Sequence, residues 1–108
     1  MITVRFFVSG GQVTGFALSG HANSASYGKD AVCSAVSSAA YMTANTLTEV
    51  CGLPVRSEVR DGYMKLVLTP KKADRAKELL DGFSLHIRAL AKQYPKNLRV
   101  IYGGIKNA

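Results

Sequence analysis

The chain has 108 residues, 47% of them hydrophobic, and a formal net charge of +7. This length predicts one domain over residues 1–108, and the hydrophobic fraction is too high for a disordered chain. No apolar run approaches the roughly 18 to 20 residues that a membrane-spanning helix needs. The N-terminal segment alternates like a strand and lacks the apolar stretch of a signal peptide, so we expect a cytoplasmic protein that makes no membrane contact.

The positive charge alone leaves the partner open. A basic balance is typical of proteins that bind nucleic acid, but it also keeps a small protein in solution. The basic residues are scattered along the sequence, with their densest cluster at residues 71–77, and no aromatic-rich nucleic-acid motif accompanies them. We therefore do not expect direct binding of nucleic acid.

Residues 2–19 predict a β-hairpin. Apolar residues alternate over residues 2–9 and return over residues 12–19. Between them, Gly10-Gly11 can adopt the positive φ angles that a two-residue hairpin turn requires. On one face the alternation places Ile2, Val4, Phe6 and Val8.

A helical period replaces the alternation from Ala31 to Cys51. Its apolar stripe is rich in small residues, which lets a helix approach a sheet or another helix closely. Asp30 occupies the N-cap position, where its carboxylate can accept hydrogen bonds from the free amides of the first turn. This start places Cys33 in the first turn, and Gly52 with Pro54 is expected to end the helix.

The second half of the chain repeats the order of two strands and a helix. Asp61-Gly62 is a strong hairpin signal, and Pro70 ends the strand that follows it. The predicted elements lie at residues 55–60, 63–69, 72–94 and 98–102. The predicted fold class is therefore α+β, a single sheet of about five mostly antiparallel strands with two helices, in the order β-β-α-β-β-α-β.

The two cysteines are too far apart for a disulfide within the chain. In one continuous helix, Cys33 and Cys51 would stand ~27 Å apart, whereas a disulfide requires Cα atoms within about 7 Å. Both thiols should be free, as fits a reducing cytoplasm. Two Cys and two His at these spacings match no zinc site, so we expect neither a metal nor a cofactor. Cys51 is expected to be buried filler and His86 an ordinary exposed histidine.

The residues with the greatest chemical potential lie between Gly20 and Ser38. His21 follows the end of a predicted strand, and Cys33 comes twelve positions later, at the predicted helix start. There the peptide dipoles favour a thiolate, and an imidazole within reach can take the thiol proton. These are the parts of a cysteine nucleophile with a histidine base. From the residues alone, the alternative is a buried, inert cysteine beside an incidental surface histidine.

The same stretch resembles the signature of the ribosomal-processing cysteine proteases, the Prp family. The pattern is Gly-His-Ala, a short loop, and Gly-x-Asp-x-Val-Cys-x-x-Val-Ser, carried by Gly20, His21, Ala22, Gly28, Asp30, Val32, Cys33, Val36 and Ser37. Length and element order also fit along essentially the whole chain. The resemblance implies a cysteine endopeptidase with His21 and Cys33 as its catalytic pair. It further implies a homodimer whose substrate is the N-terminal extension of a bacterial large-subunit ribosomal protein, the twenty-seventh in the usual count.

Two further residues are expected to support the catalytic pair. Asp30 either caps the helix, stabilising it by ~1 kcal/mol, or orients His21 as a third catalytic member. Ser37, one turn after Cys33, either hydrogen-bonds near the site or bonds back to a carbonyl of its own helix. Backbone N–H groups at the helix start are expected to supply an oxyanion hole.

The loop between the strand and the helix is polar and is expected to act as a substrate-gated lid. Its residues are Gly20, Ala22, Asn23, Ser24, Ala25, Ser26, Tyr27, Gly28 and Lys29.

Two other functions would use the same features. The +7 charge fits a non-enzymatic ribosome- or RNA-binding module, whose binding would survive the loss of Cys33. An activated Cys33 also fits a redox-sensing or acyl-transfer thiol protein that cuts no peptide. Peptide cleavage with a mapped new N-terminus separates the protease from both.

Overall fold

Five strands and three α-helices make up the part of the chain that the structure, a computed structural model, describes. That part comprises the backbone of residues 1–20 and 27–103 and the side chains of residues 1–20 and 31–103. The strands are β1 (Ile2–Ser9), β2 (Gln12–Ser19), β3 (Arg56–Arg60), β4 (Tyr63–Val67) and β5 (Leu98–Tyr102). The helices are α1 (Tyr27–Asn45), α2 (Pro70–Arg75) and α3 (Lys77–Gln93), and a π-helical segment, Thr46–Val50, continues α1.

The strands form one mixed sheet in the order β3-β4-β2-β1-β5. Strands β1 and β2 form one antiparallel hairpin, β3 and β4 form another, and β2 joins the two by pairing antiparallel with β4. Strand β5 lies parallel to β1 at the other edge. The predicted α+β class with a mostly antiparallel sheet is confirmed. The two-residue turn is also as predicted, with φ angles of 58° at Gly10 and 78° at Gly11.

The core lies between one face of this sheet and the helices. Phe83 of α3 packs against Phe6 and Phe16, with ring centroids 5.6 and 4.6 Å apart respectively. From α1, Val32 and Val36 enter the same core and are almost completely buried. Each such side chain contributes about 1.5–3 kcal/mol when removed from water. Helix α1 is therefore held firmly over the sheet, and Cys33 with it.

A β-bulge interrupts the first hairpin near its turn. Phe7 and Val8 pair with Gly15 and Val13, so Thr14 is the extra residue and lies on β2, while β1 keeps its period of two. Ile2, Val4 and Phe6 face the core as predicted, but Val8 is 40% exposed. Phe7 is buried instead, on the opposite face of the sheet.

The helix predicted over residues 72–94 starts earlier and is interrupted. The hydroxyl oxygen of Thr69 accepts a hydrogen bond from the amide of Lys72, and Pro70 is the first residue of α2. Proline suits that position because its missing N–H would have no partner there. Ala76 then leaves the helical region, with φ −113° and ψ 16°, and separates α2 from α3. Three α-helices therefore replace the two predicted.

Helix α1 begins earlier than the sequence indicates. Because its first residue is Tyr27, the predicted loop residues Tyr27, Gly28 and Lys29 belong to the helix. Asp30 lies within the first turn and is not the N-cap, and Cys33 falls in the second turn. A glycine near a helix start costs only about 1 kcal/mol. A cost of this size does not prevent the helix from starting before Asp30, so the N-cap preference of aspartate does not by itself fix the start.

The end of α1 is close to the prediction. The amide of Cys51 donates to the carbonyl of Thr46 at 2.8 Å, and Gly52 then reverses the chain with φ +65°. Cys51 was predicted to be buried filler, and it packs against the core but is only half-buried. Over the described residues, no helix is both long and apolar enough to cross a bilayer.

Candidate active site

Cys33 lies at the boundary between the core and solvent. Its neighbour Val32 and the residue one turn later, Val36, point into the core, while Cys33 is half-buried and packs against the edge of that core. Its thiol is free, as is that of Cys51. A helix anchored by buried valines holds the thiol in a defined place and leaves it partly accessible. A nucleophile needs both properties.

The position of Cys33 in α1 changes the predicted source of its activation. The unpaired amides of an α-helix belong to its first four residues, which here are residues 27–30. The stabilising effect of the helix dipole falls off within that same turn. The predicted oxyanion hole at Cys33 and the predicted thiolate stabilisation by the helix start therefore do not follow from this geometry. An activated thiol at this position would require a base.

Ser37 lies one helical turn after Cys33 and is also half-buried. Residues four apart on a helix share a face, so the hydroxyl and the thiol lie on the same side of α1. Further along, the hydroxyl of Thr43 donates to the carbonyl of Ala39 at 2.8 Å. The bond of Thr43 is of the kind that the sequence left open for Ser37. For Ser37 itself both alternatives stay predictions.

Several predicted site residues lie outside the described part of the chain. They are His21, Ala22, Asn23, Ser24, Ala25 and Ser26, and the side chains of Tyr27, Gly28, Lys29 and Asp30 are outside it as well. The described structure therefore brings together Cys33 and Ser37 from the predicted site. It also shows in detail the residue that precedes His21.

Gly20 holds the backbone immediately before His21 in a demanding geometry. Its φ angle is +92°, in the region that residues with a Cβ rarely adopt. Its amide donates to the carbonyl of Gly62 at 3.1 Å, and a Cβ at Gly20 would overlap the carbonyl oxygen of Met1. The start of β1, the end of β2 and the turn between β3 and β4 therefore meet at this point.

Sequence reasoning did not indicate that Met1 and Gly62 contact Gly20, the residue before His21. Asp61-Gly62 was recognised as a hairpin turn, but its contact with the end of β2 depends on the pairing of β2 with β4. Those strands are distant in sequence, and no local pattern indicates that they pair. Within residues 1–20 and 31–103, no group of three His, Cys, Asp or Glu side chains is arranged to hold a metal ion.

Comparison with known proteins identifies the family of this chain. Residues 1–99 match the family model described as cysteine protease Prp. The chain is 29% identical over 94 residues to the ribosomal processing cysteine protease Prp of Bacillus subtilis (strain 168). That match covers 82% of this chain and 84% of the relative.

Solved structures agree along nearly the whole chain. A protein from Streptococcus mutans has a TM-score of 0.81 and 31% identity, covering 95% of this chain and 94% of its own. The essential ribosomal processing protease Prp from S. aureus, solved in complex with a substrate peptide, has a TM-score of 0.79 and 25% identity. That match covers 94% of this chain and 99% of the relative.

The fold, the free thiol on α1 and these matches define a hydrolase of the cysteine protease class. The resemblance seen in the sequence is confirmed. The chain belongs to the cysteine protease Prp family.

Proposed function

We propose that this enzyme removes the N-terminal extension of a bacterial large-subunit ribosomal protein, the twenty-seventh, in the cytoplasm. The match of residues 1–99 to the family model carries the proposal. The motif residues around His21 and Cys33 add to it, because glycine, histidine, aspartate and cysteine all fall in register. The B. subtilis relative is named a ribosomal processing protease, and the S. aureus relative was solved with a substrate peptide.

In the proposed reaction Cys33 is the nucleophile and His21 the base. His21 takes the thiol proton, and the thiolate sulfur attacks the carbonyl carbon of the scissile peptide bond. The C–N bond breaks as the resulting imidazolium gives its proton to the leaving amine, which leaves a thioester on Cys33. Water, deprotonated by His21, then attacks the thioester carbon. The C–S bond breaks, the extension leaves as a free acid, and the proton on His21 returns to the sulfur of Cys33.

Two features of the described structure support this pairing. Residues 21–26 alone connect Gly20, at the end of β2, to Tyr27, at the start of α1. This connection holds His21 within about 22 Å of Tyr27, the first residue of the helix that carries Cys33. The contacts of Gly20 with Met1 and Gly62 also set the direction in which the backbone leaves the sheet. Asp30 and Ser37 are proposed to support the pair from α1.

Recognition is proposed to rest on the extension itself. A ribosomal protein is basic, and the enzyme carries +7, so overall charge attracts neither to the other. An extended apolar peptide can instead be held by backbone hydrogen bonds and an apolar pocket. Residues 20 and 22–29 are proposed to close over it, although residues 27–29 would do so as part of α1.

We propose a homodimer as the working form. Tyr41 and Met42 are neighbours on the outer side of α1 and are 48% and 56% exposed, so together they form a small apolar patch that a second copy of the chain can cover. Strands β3 and β5 also form the two edges of the sheet as described. Light scattering coupled to size-exclusion chromatography tests this assembly, with Tyr41→Ser as a variant expected to weaken it.

Incubation with the extended ribosomal protein, followed by intact-mass analysis, tests the proposed activity. We expect a single cut that removes the extension, with the new N-terminus identified by sequencing. The same ribosomal protein made without its extension should remain unchanged. An intact precursor after prolonged incubation with folded enzyme would reject the substrate.

A further inference from the structure

The side of the sheet that faces away from the helices carries a concentration of positive charge. We call it the open sheet face and define it by its six charged residues, Arg5, Arg56, Glu58, Arg60, Lys65 and Arg99. On β1, β4 and β5 they alternate with residues that point into the core, and the strand pairing places the charged residues of β3 on the same side of the sheet. No residue of this face belongs to the core that the described helices cover.

The register of the sheet brings these charges together from distant parts of the sequence. In one row across the strands, Arg99 of β5 and Arg60 of β3 stand at the two ends. Four inter-strand spacings separate them, or about 19 Å. In the next row, Arg5 of β1 and Lys65 of β4 stand two spacings apart, or about 10 Å. The sequence shows these cations as scattered because their alignment exists only in the sheet.

The open sheet face is strongly cationic. Five cations and one carboxylate leave it with a net charge of +4, more than half of the +7 of the chain. Its one described carboxylate, Glu58, lies 3.6 Å from the guanidinium of Arg60, in a pair that is largely exposed. Four of the five cations are arginines, whose planar forks match the oxygens of phosphate groups.

An aromatic platform accompanies the charge. The guanidinium carbon of Arg60 lies 4.1 Å from the centroid of the Tyr63 ring, and the Arg60 side chain is 65% exposed. A guanidinium plane stacked in this way offers a surface on which a nucleic-acid base can stack in turn. None of the large, exposed hydrophobic side chains of the described residues lies on this face, so it lacks the anchors that insert into a lipid surface.

We propose that the open sheet face binds single-stranded RNA over a few nucleotides. The choice of RNA over an acidic protein rests on the proposed function, because a ribosomal protein substrate is found with RNA. Ser19, which shares a row with Arg99 and Arg60, directly precedes Gly20. Bound RNA would therefore lie next to the segment that carries His21, and would bring the enzyme to a substrate associated with RNA.

Fluorescence anisotropy with a labelled 20-nucleotide uridine RNA tests this surface directly. The test variant combines Arg56→Gln, Arg60→Gln and Arg99→Gln, all at exposed positions of the face. The matched control combines Lys71→Gln, Arg75→Gln and Arg88→Gln, exposed on α2 and α3. Both variants lower the net charge by the same amount, and their melting temperatures should stay close to that of the parent protein.

We expect RNA affinity to fall at least tenfold in the test variant and less than twofold in the control. The dependence of log Kd on log salt should also become shallower in the test variant alone. Adding Arg5→Gln and Lys65→Gln should weaken binding further. Equal losses in both variants, no binding at 50 mM salt, or tighter binding to anionic vesicles than to RNA would overturn the proposal.

The outcome is separable from that of the proposed function. Cleavage of a short extension peptide involves no RNA, so the test variant should cut it as fast as the parent protein. Peptide cleavage without RNA binding would reject only the RNA surface. RNA binding without peptide cleavage would reject only the proposed substrate.

Discussion

The amide of Gly20 donates a hydrogen bond to the carbonyl oxygen of Gly62, and this contact ties the end of β2 to the turn between β3 and β4. The two residues are far apart in sequence, yet together they set where the chain leaves the sheet toward His21. Met1 lies on the other side of Gly20. Its carbonyl oxygen occupies the place that a Cβ of residue 20 would take, so only glycine fits there.

Gly20→Ala is expected to lower both stability and activity. The positive φ angle alone costs a residue with a Cβ about 1–3 kcal/mol, and the overlap with Met1 adds to that. Because His21 follows directly, kcat/KM should fall by more than the fraction of unfolded protein explains. Thermal melts and peptide kinetics on one preparation measure both effects.

Gly82→Ala is the matched control for that variant. Gly82 lies in α3 with open space around the position of a Cβ, so alanine should stabilise the helix by about 1 kcal/mol. Its activity should equal that of the parent protein. A Gly20→Ala enzyme with normal kcat/KM would show that this backbone does not position the histidine.

Cys33→Ser is expected to abolish cleavage while the fold persists, because Cys33 is half-buried and serine replaces it with little change of volume. Loss of a catalytic nucleophile typically lowers the rate by at least about a thousandfold. Cys51→Ser, at the other half-buried thiol, should keep nearly full activity. Alkylation followed by peptide mass mapping should mark Cys33 faster than Cys51 at neutral pH, and equal labelling would contradict an activated Cys33.

His21→Ala should be as inactive as the cysteine variant, because the base and the nucleophile act in one step. The double variant, His21→Ala with Cys33→Ser, should therefore be no slower than either single variant. Single-turnover rates on the precursor measure all three. A double variant much slower than both would mean that the two residues contribute independently.

Asp30→Asn separates a structural role from a positioning role. In the first turn of α1 a carboxylate contributes about 0.3–1 kcal/mol through the helix dipole, so the melting temperature should drop by only a few degrees. If Asp30 orients His21, turnover should fall more than tenfold. We expect this result because Asp30 is not the N-cap of α1, which leaves the positioning role as the remaining prediction. A loss of turnover in Asp30→Asn that is no larger than its loss of stability explains would leave Asp30 only a structural role.

Ser37→Ala, one turn after Cys33, should have a smaller effect on turnover than Asp30→Asn.

A synthetic peptide that spans only the extension and the cut should be processed. Because recognition is proposed to rest on an apolar extended segment, raising salt from low to physiological concentration should change its rate less than twofold. The Cys33→Ala form with uncleaved peptide should show slower hydrogen exchange over residues 23–29. If only the full ribosomal protein is cut, recognition lies outside the extension.

Local sequence determined the elements of this fold and much of the candidate site. The first hairpin follows from apolar alternation and Gly10-Gly11, and the second from alternation around Asp61-Gly62, because turn geometry and side-chain period act between near neighbours. The motif around His21 and Cys33 indicates the family, which the match of residues 1–99 to the family model confirms.

Tertiary structure decided what depends on contacts between distant residues. Local preference did not predict the start of α1 at Tyr27, the break at Ala76 or the pairing of β2 with β4. Differences in propensity of about 1 kcal/mol are too small to fix such features by themselves. The same pairing places Gly62 against Gly20 and gathers cations from four strands on one face. The charge of the open sheet face and the backbone position at Gly20 therefore depend on the sheet register, which no single stretch of sequence contains.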